Sequence, residues 1–396
     1  MHKGLQIKPA MTGTEIIVVG VDAPGDPKRF KGEETMNKKL KVGIIGCGAI
    51  AEQKYLLAIK SVPEAEVVAF CDIIREKAEA VSKLFDAENA AIYEDFRELL
   101  KDDSIDVIHV CTPNISHAPI TIAALKAGKH VICEKPMATS YKDAKLMCDT
   151  AKEAGKVLSI GYQYRNRPET LFMKKMCEND ELGEIYFAKA HALRRRGVPT
   201  WGVFLKEEEQ GGGPLIDIGT HALDLTLWMM DNYKPKTVMG TVYKKLGDRP
   251  DCGNIFGPWD TNEYTVEDSA FGFIVMENGA TIILESSWAL NIADEGEAMC
   301  TLCGTKAGLD MKDGVRVVSD NHGKFIDTKP DFDDGAIVYV PGAIKYTPEE
   351  IEARNFYDAI LYGKELRTKP EQALVVTQIL EAIYESGRTG KPVVFD

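Results

Sequence analysis

The chain has 396 residues and a formal net charge of −13 at pH 7, and its length favours two domains. The acidic balance argues against nucleic acid or an anionic membrane surface as a partner, and no stretch approaches the roughly 20 apolar residues of a membrane span. Nine scattered cysteines, an odd number, favour free thiols in a reducing, cytoplasmic compartment over a disulfide framework.

Residues 1–38 are rich in glycine, proline and charge, and they are predicted to form an extension ahead of the first domain. From Lys41 onward, short β-branched strands alternate with segments of helical spacing, beginning with KVGIIGC and AIAEQKYLLAIKSV. Strands separated by helices of this length predict a parallel sheet with right-handed crossovers. Residues 39–165 are therefore predicted to be an α/β domain.

The first strand runs into GCGAIA at residues 46–51, a GxGxxA pattern between a strand and a helix. In this pattern the glycines permit a tight turn and bring a pyrophosphate close to the helix N-terminus, as in Rossmann domains. Asp72 ends the second strand, 26 residues after Gly46, where a carboxylate binds ribose hydroxyls and repels a 2′-phosphate. NAD is therefore favoured over NADP. The alternative to a dinucleotide site is a turn with a purely structural role. The predicted contacts here are Gly46, Gly48, Ala49, Ile50, Asp72 and Arg75, the last of which keeps NADP open.

A later strand, HVICEKP, ends at Glu134-Lys135-Pro136. Pro136 biases Lys135 away from helical geometry, so the strand is predicted to stop in an extended turn. Lys135 then lies at the carboxyl edge of the parallel sheet, where open α/β sheets bind ligands. A solvated surface role is the alternative for this lysine.

After about residue 165, strand-like segments follow one another directly, and Asn278-Gly279 between two of them is typical of a hairpin turn. Residues 166–396 are therefore predicted to be an α+β domain with a mostly antiparallel sheet. It ends in two predicted helices. An alternative position for the last helix is against the first domain. Cys300 and Cys303 form an isolated CxxC, for which we predict no zinc or redox role.

Residues 211–230, GGGPLIDIGTHALDLTLWMM, form an apolar helical pattern interrupted by Asp217, His221 and Asp224. At about 100° per residue, these three side chains share one stripe, which we predict to face a cleft while the apolar residues hold the helix in its domain. The preceding glycines are expected to let the backbone approach cofactor or substrate. Structural roles and a three-ligand metal site are the alternatives, and we predict no metal.

Three segments together resemble the Gfo/Idh/MocA oxidoreductase family: GIIGCGAIA, CTPNISHAPITIAALKAGKHVICEKPMA and GGGPLIDIGTHALDLTLWM. The resemblance covers most of the chain from about Leu40. It implies a dinucleotide-binding Rossmann domain followed by a domain with an open, mostly antiparallel sheet. Its catalytic residues correspond to Lys135, Asp217 and His221. Residues implied to border the cofactor are Thr112, Pro113, Asn114, His117, Glu134, Lys135 and Gln163, and those implied to approach nicotinamide or substrate include Tyr164 and Arg165.

Two loop tryptophans, Trp201 and Trp259, are candidate walls for a sugar because aromatic rings stack on apolar sugar faces; ordinary loop packing is the alternative. For oxidation of a secondary alcohol we expect His221 to be the base, since its ordinary pKa lies near 6.5. Lys135 would need its pKa lowered by roughly three units to serve instead, so we expect it to hydrogen-bond the reacting oxygen. Asp217 would bind a neighbouring hydroxyl or orient the other two.

The predicted function is NAD-dependent oxidation of a secondary ring hydroxyl of a sugar, glycoside or cyclitol to a ketone, with carbon 3 of a glucoside favoured. The alternatives are an inositol dehydrogenase, glycoside cleavage or epimerisation through a 3-keto intermediate with recycled NAD, and a non-catalytic NAD-binding regulator. The expected partners are a small-molecule substrate and, because an open sheet exposes apolar surface, further copies of the chain in a homo-oligomer.

Overall fold

The computed structural model of the chain describes residues 39–249, 251–332 and 346–395, so the predicted extension lies outside the described residues. Within these residues the chain forms two sheets with helices packed on them. The predicted fold class, a Rossmann-type parallel sheet followed by a mostly antiparallel one, is confirmed.

The first sheet has six strands, all parallel, in the order β3-β2-β1-β4-β5-β6. They are β1 (Leu40–Ile45), β2 (Ala65–Cys71), β3 (Ala91–Tyr93), β4 (Val107–Val110), β5 (His130–Cys133) and β6 (Leu158–Ile160). β4 is buried along its whole length, as expected for a strand covered on both faces. The strand order reverses between β1 and β4, and ligands bind at the carboxyl ends beside such a reversal.

Helices connect these strands and cover both faces of the first sheet. They are α1 (Leu56–Ile59), α2 (Arg75–Leu84), α3 (Phe96–Leu99), α4 (His117–Lys126) and α5 (Tyr141–Ala154). α1 continues directly from a π-helical turn at Ala51–Tyr55, where the sequence predicts one regular helix. α5 begins at the cap residue Ser140, whose hydroxyl accepts a hydrogen bond from the N–H of Asp143, and ends at the left-handed Gly155.

The second sheet has nine strands in the order β14-β13-β12-β11-β7-β10-β9-β8-β15, antiparallel except for the β7–β10 pair. They are β7 (Ile185–Leu193), β8 (Pro235–Tyr243), β9 (Ser269–Met276), β10 (Thr281–Ser287), β11 (Gly296–Gly304), β12 (Ala307–Asp310), β13 (Arg316–Asn321), β14 (Lys324–Thr328) and β15 (Val393–Val394). Gly279, with φ of 88°, forms the predicted turn between β9 and β10. The sequence patterns do not predict β12, β14 or β15, and β14 gives no alternating signal because all of its residues are exposed.

The remaining helices are α6 (Pro168–Glu178), α7 (Glu207–Gln210), α8 (Thr220–Met230), α9 (Pro348–Tyr362) and α10 (Pro370–Thr389). α8 packs on β7 and β11, and α10 packs on β8 and also reaches α5 and β6 of the first sheet. α9 lies against α1, and its Ala353, Phe356 and Tyr357 are buried in the core formed with β1 and β4. The last two helices therefore complete layers that begin much earlier in the chain.

Candidate active site

The glycine loop after β1 has the geometry of a phosphate-binding turn. Gly46 adopts φ of 91°, and a Cβ there would lie 2.7 Å from the carbonyl carbon of Cys111, so only glycine fits. A Cβ on Gly48 would meet nothing within 4 Å, and Ala49 and Ile50 are exposed at the start of the following helix. Open space in front of a helix N-terminus fits a pyrophosphate.

Asp72 lies directly beside this loop. Its carboxylate accepts hydrogen bonds from the backbone N–H of Cys47 and of Ile74, each at 2.9 Å. The side chain is therefore held at the end of β2, beside the glycine loop. The exposed Arg75 instead pairs with Glu79 at 2.8 Å and Glu94 at 3.5 Å, so carboxylates already engage its guanidinium.

Side-chain hydrogen bonds hold the loop after β4 in place. Asn114 donates a side-chain hydrogen bond to the carbonyl of Gln210 at 3.0 Å, and Pro113 precedes it. The buried ring of His117 lies 2.9 Å from the carbonyl oxygen of Thr112 and 2.7 Å from that of Pro136. His117 therefore ties this loop to the one that carries Lys135. The buried Thr112 hydroxyl has no hydrogen-bond partner among the described residues, which fits a group that awaits a ligand.

Lys135 and Asp217 lie in contact, next to each other as the family resemblance implies. The Lys135 ammonium donates to Oδ1 of Asp217 and to its backbone carbonyl, each at 2.9 Å. Oδ2 of Asp217 accepts a hydrogen bond from the indole N–H of the buried Trp288 at 3.0 Å. Burial alone would lower the pKa of Lys135, but Asp217 and Glu134 outweigh it and raise that pKa. Lys135 is therefore a cation at neutral pH.

His221 is 4% exposed, and its ring packs against those of Tyr162 and Tyr164, with centroids 6.0 and 4.6 Å away. Its Nδ1 is buried and has no hydrogen-bond partner among the described residues. Burial, followed by the positive charge of Lys135, holds the pKa of His221 well below its ordinary value. The ring is therefore neutral at neutral pH. The further cations that lower this pKa are Lys54, Arg167 and Arg194.

Asp224 shares the helical stripe with Asp217 and His221 in the sequence, but a structural role is the expectation for this residue taken alone, and its contacts agree with that role. Its carboxylate forms a bidentate pair with the guanidinium of Arg165, at 2.6 and 2.9 Å, and both side chains are fully buried. The backbone at Leu215–Gly219 is a π-helical turn, so Asp217 and Asp224 do not follow the 3.6-residue repeat assumed for one stripe. Asp217 therefore lies beside Lys135, whereas Asp224 lies in the core beside Arg165.

Arg165 was expected to approach nicotinamide or substrate, and here the structure requires a correction. Its guanidinium has no exposed surface, and besides Asp224 it donates to Gln372 at 2.6 Å and to the carbonyl of Arg367 at 2.7 Å. We therefore assign Arg165 a structural role.

We expect Arg165→Met to lower the free energy of unfolding by about 3–5 kcal/mol, because it leaves the buried Asp224 carboxyl without its ionic partner. The double variant Arg165→Met/Asp224→Leu should recover most of that loss. Denaturant unfolding measures both, with the exposed Arg97→Met as the control, expected to cost under about 1 kcal/mol. Normal stability of Arg165→Met together with a raised KM for substrate would restore the substrate role.

The two tryptophans predicted to border a sugar, Trp201 and Trp259, differ in exposure and contacts. Trp201 is 53% exposed and packs edge-on against Phe256, with ring centroids 4.9 Å apart, so its surface is accessible to a ligand. Trp259 is partly buried and donates its indole N–H to the carbonyl of Gly247 at 2.8 Å, which fits loop packing. Tyr164 is partly buried between His221 and the Arg167 guanidinium, which lies 3.8 Å from its ring centroid.

The glycines at 211–213 serve packing within the chain. A Cβ on Gly212 would lie 2.0 Å from the hydroxyl of Tyr384, and one on Gly213 would lie 2.3 Å from the carbonyl of Glu267. The carboxylate of Glu267 accepts the N–H groups of Gly213 and Leu215 at 2.8 and 3.0 Å. The expectation that these glycines admit cofactor or substrate was therefore wrong, because protein atoms fill that space.

No sequence pattern indicates that Lys54, Glu352 and Trp288 contact the predicted site residues. Lys54 pairs with the buried Glu134 at 2.6 Å and donates to Gln163 at 3.2 Å, so both predicted cofactor residues meet at one ammonium. Glu352, from α9, lies 3.2 Å from the same nitrogen. Trp288 gave no signal in the sequence beyond its place in a strand. The described residues contain no group of three His, Cys, Asp or Glu side chains placed to hold a metal ion.

Two family models match consecutive parts of this chain. Residues 40–162 match a family model described as "Oxidoreductase family, NAD-binding Rossmann fold", and residues 170–310 match one described as "GFO/IDH/MocA C-terminal domain". The chain is 36% identical to the D-glucoside 3-dehydrogenase of Escherichia coli over 355 residues, which span 89% of this chain and 97% of that protein. The chain belongs to the Gfo/Idh/MocA oxidoreductase family. Its first sheet thus forms an NAD-binding domain, and the predicted cofactor is confirmed.

Other proteins are similar to this chain over shorter stretches or in fold. The glucose-6-phosphate 3-dehydrogenase of Bacillus subtilis is 34% identical over 197 residues, 48% of this chain and 54% of that protein. The crystal structure of an aldose-aldose oxidoreductase from Caulobacter crescentus, complexed with glycerol, has a TM-score of 0.73 at 23% identity and covers 90% of this chain and 100% of that one. No helix among the described residues is long and apolar enough to cross a membrane.

Proposed function

We propose that the protein oxidises a secondary ring hydroxyl of a glycoside, at carbon 3 of a glucoside, to the corresponding ketone. The observation that supports this most is the Lys135–Asp217 pair close to the neutral His221, at the same carboxyl edge of the parallel sheet as the glycine loop. The similarity to a D-glucoside 3-dehydrogenase over nearly the whole length favours this substrate class.

When bound, NAD⁺ supplies the hydride acceptor. The glycine loop and Asp72 would hold the dinucleotide. The Lys135 ammonium would donate a hydrogen bond to the reacting oxygen, Asp217 would accept one from a neighbouring hydroxyl, and the neutral imidazole of His221 would take the hydroxyl proton. The alcohol thus loses a hydride from carbon and a proton from oxygen, which balances its conversion to a ketone.

The test is incubation with NAD⁺ and a panel of glucosides, free glucose, myo-inositol and scyllo-inositol, with NADH absorbance and product analysis. Stoichiometric NADH with a 3-keto glucoside supports the proposal. NADH from inositols alone would favour an inositol dehydrogenase, and cleaved or epimerised glycoside without net NADH would favour a recycled cofactor. Tight NADH binding with no turnover of any polyol would favour a regulator.

We expect Asp72→Ser to raise the KM for NAD⁺ about tenfold and to improve use of NADP⁺, because it removes the carboxylate that binds the ribose and repels a 2′-phosphate. The hydroxyl of serine keeps an acceptor for the loop N–H groups. The ratio of kcat/KM for NAD⁺ to that for NADP⁺ measures the effect, with the exposed Asp103→Ser as a control. An unchanged ratio would contradict this role of Asp72.

We also propose a homo-oligomer in the cytoplasm, where NAD is available. The face of the second sheet away from α8 and α10 carries apolar side chains in adjacent strands, among them Phe273, which is 50% exposed, and its cross-strand partner Ile283. Such a patch favours association with a like surface. A monomeric mass by light scattering at micromolar concentration would refute the oligomer.

A further inference from the structure

A buried lysine that the mechanism above does not use lies beneath the site. Lys54 is 5% exposed and belongs to the π-helical turn that follows the glycine loop. Its ammonium contacts Oε1 of Glu134 at 2.6 Å, Oε2 of Glu352 at 3.2 Å and Oε1 of Gln163 at 3.2 Å. A buried ammonium is costly unless it is paired and hydrogen-bonded. Here three segments distant in sequence supply its partners.

Glu134 connects this ammonium to the lysine in the cleft. While one of its oxygens accepts from Lys54, the other accepts the backbone N–H of Lys135 at 3.0 Å. The orientation of the carboxylate is thus fixed at both oxygens. A continuous set of contacts leads from the glycine-loop helix, through Glu134, to the backbone that presents the Lys135 side chain to Asp217.

The charges agree with a role in the site. Burial opposes ionisation of Glu134, but the ammonium groups of Lys54 and then Lys135 hold its pKa below the ordinary value. After burial and Lys135, the charge of Lys54 also contributes to the low pKa of His221. Burial raises the pKa of Glu352 to about 7, so Glu134 is the more strongly ionised of the two partners at neutral pH.

We propose that Lys54 is a positioning residue that fixes Glu134 and, through it, the backbone of Lys135. The proposal rests on the proposed function, because it takes Lys135 and His221 as the groups that handle the reacting oxygen and its proton. The competing explanation is an ion pair that only stabilises the fold.

The experiment compares Lys54→Met with Lys129→Met. Lys129 is a matched control because it lies in the same domain, is 3% exposed, and donates to a backbone carbonyl, that of Asp102, at 2.8 Å. Three quantities are measured for each: NADH affinity by fluorescence titration, kcat and KM as functions of pH, and unfolding by denaturant.

Both variants are expected to lose stability. Lys54→Met should in addition weaken NADH binding about tenfold and lower kcat about 10- to 100-fold with a smaller change in KM, the range typical when a partner that orients a reacting group is removed. It should also shift the acidic limb of the kcat/KM profile to higher pH, because one cation that depresses the pKa of His221 is gone. Lys129→Met should change none of these three.

The proposal would be overturned if Lys54→Met behaves like Lys129→Met. Both variants would then lose stability but keep the NADH affinity, kcat and pH profile of the wild type. If Lys54→Met does not fold, Lys54→Gln is measured in the same way, since its amide keeps a donor towards Glu134 without the charge. If the wild-type protein turns over no sugar, the proposed function fails, and the NADH titration still decides whether Lys54 positions the cofactor-side residues.

Discussion

Lys135→Met is expected to lower kcat about a thousandfold while NADH binds within a few-fold of the wild-type affinity. The substitution removes the ammonium that would donate to the reacting oxygen, and the loss of one such donor or proton-handling group costs about 10²- to 10⁴-fold in enzymes. It also leaves the Asp217 carboxylate without the cation 2.9 Å away. Steady-state kinetics and a fluorescence titration with NADH provide the two measurements.

Lys145→Met is the control for this substitution, because Lys145 is an exposed lysine paired only with Asp149 on α5 among the described residues. It should leave both quantities unchanged. A Lys135→Met variant with kcat within tenfold of wild type would show that the ammonium does not act on the reacting oxygen, and the mechanism would need another donor.

His221→Gln is expected to reduce kcat about 10²- to 10⁴-fold and to remove the acidic limb of the kcat/KM profile. Because the pKa of His221 lies well below 6.5, the wild-type rate should rise with pH through a value below 6.5 and be flat at neutral pH. The exposed His322→Asn should keep the wild-type profile. If His221→Gln retains both the rate and the limb, Lys135 is the better candidate for the base.

The same lowered pKa affects stability, which provides a readout independent of substrate. Below about pH 6.5 the unfolded chain binds a proton at His221 that the folded chain does not bind, so folding stability falls with decreasing pH. The slope from this group is about 1.4 kcal/mol per pH unit until the folded-state pKa is reached. His221→Gln should lack this contribution, and the difference between the two unfolding curves measured against pH isolates it.

The residues at the ends of parallel strands could be predicted from sequence because local rules place them. A glycine pattern between a strand and a helix, an acidic residue at the end of the second strand and a proline after Lys135 each define a position at the same sheet edge. The meeting of Lys135 with Asp217 followed from the family resemblance, since no local pattern joins residues 82 positions apart.

The surroundings of Asp224 and Lys54 could not be predicted, because they depend on geometry that a regular helical repeat does not contain. The π-helical turn at Leu215–Gly219 separates Asp217 from Asp224, and the helical-wheel argument assumed 3.6 residues per turn throughout. Lys54 has the sequence signature of a solvated helix face, yet α9 covers it from a segment about 300 residues later. Partners this distant in sequence could not be identified from one chain's residues.

The packing of α9 on the first sheet bears on how the protein is made. Ribosomes deliver the N-terminal strands first, and domains tend to fold as they emerge. Here Phe356 and Tyr357 close a core that β1 and β4 begin, and Tyr357 accepts or donates the hydrogen bond at Nε2 of the buried His109, 2.9 Å away. Until those residues leave the exit tunnel, the core that α1 and α2 form with this sheet lacks the side chains of α9. The nascent chain therefore carries an unfinished nucleotide-binding half through most of translation, and a chaperone that shields apolar surface has its longest opportunity to act there.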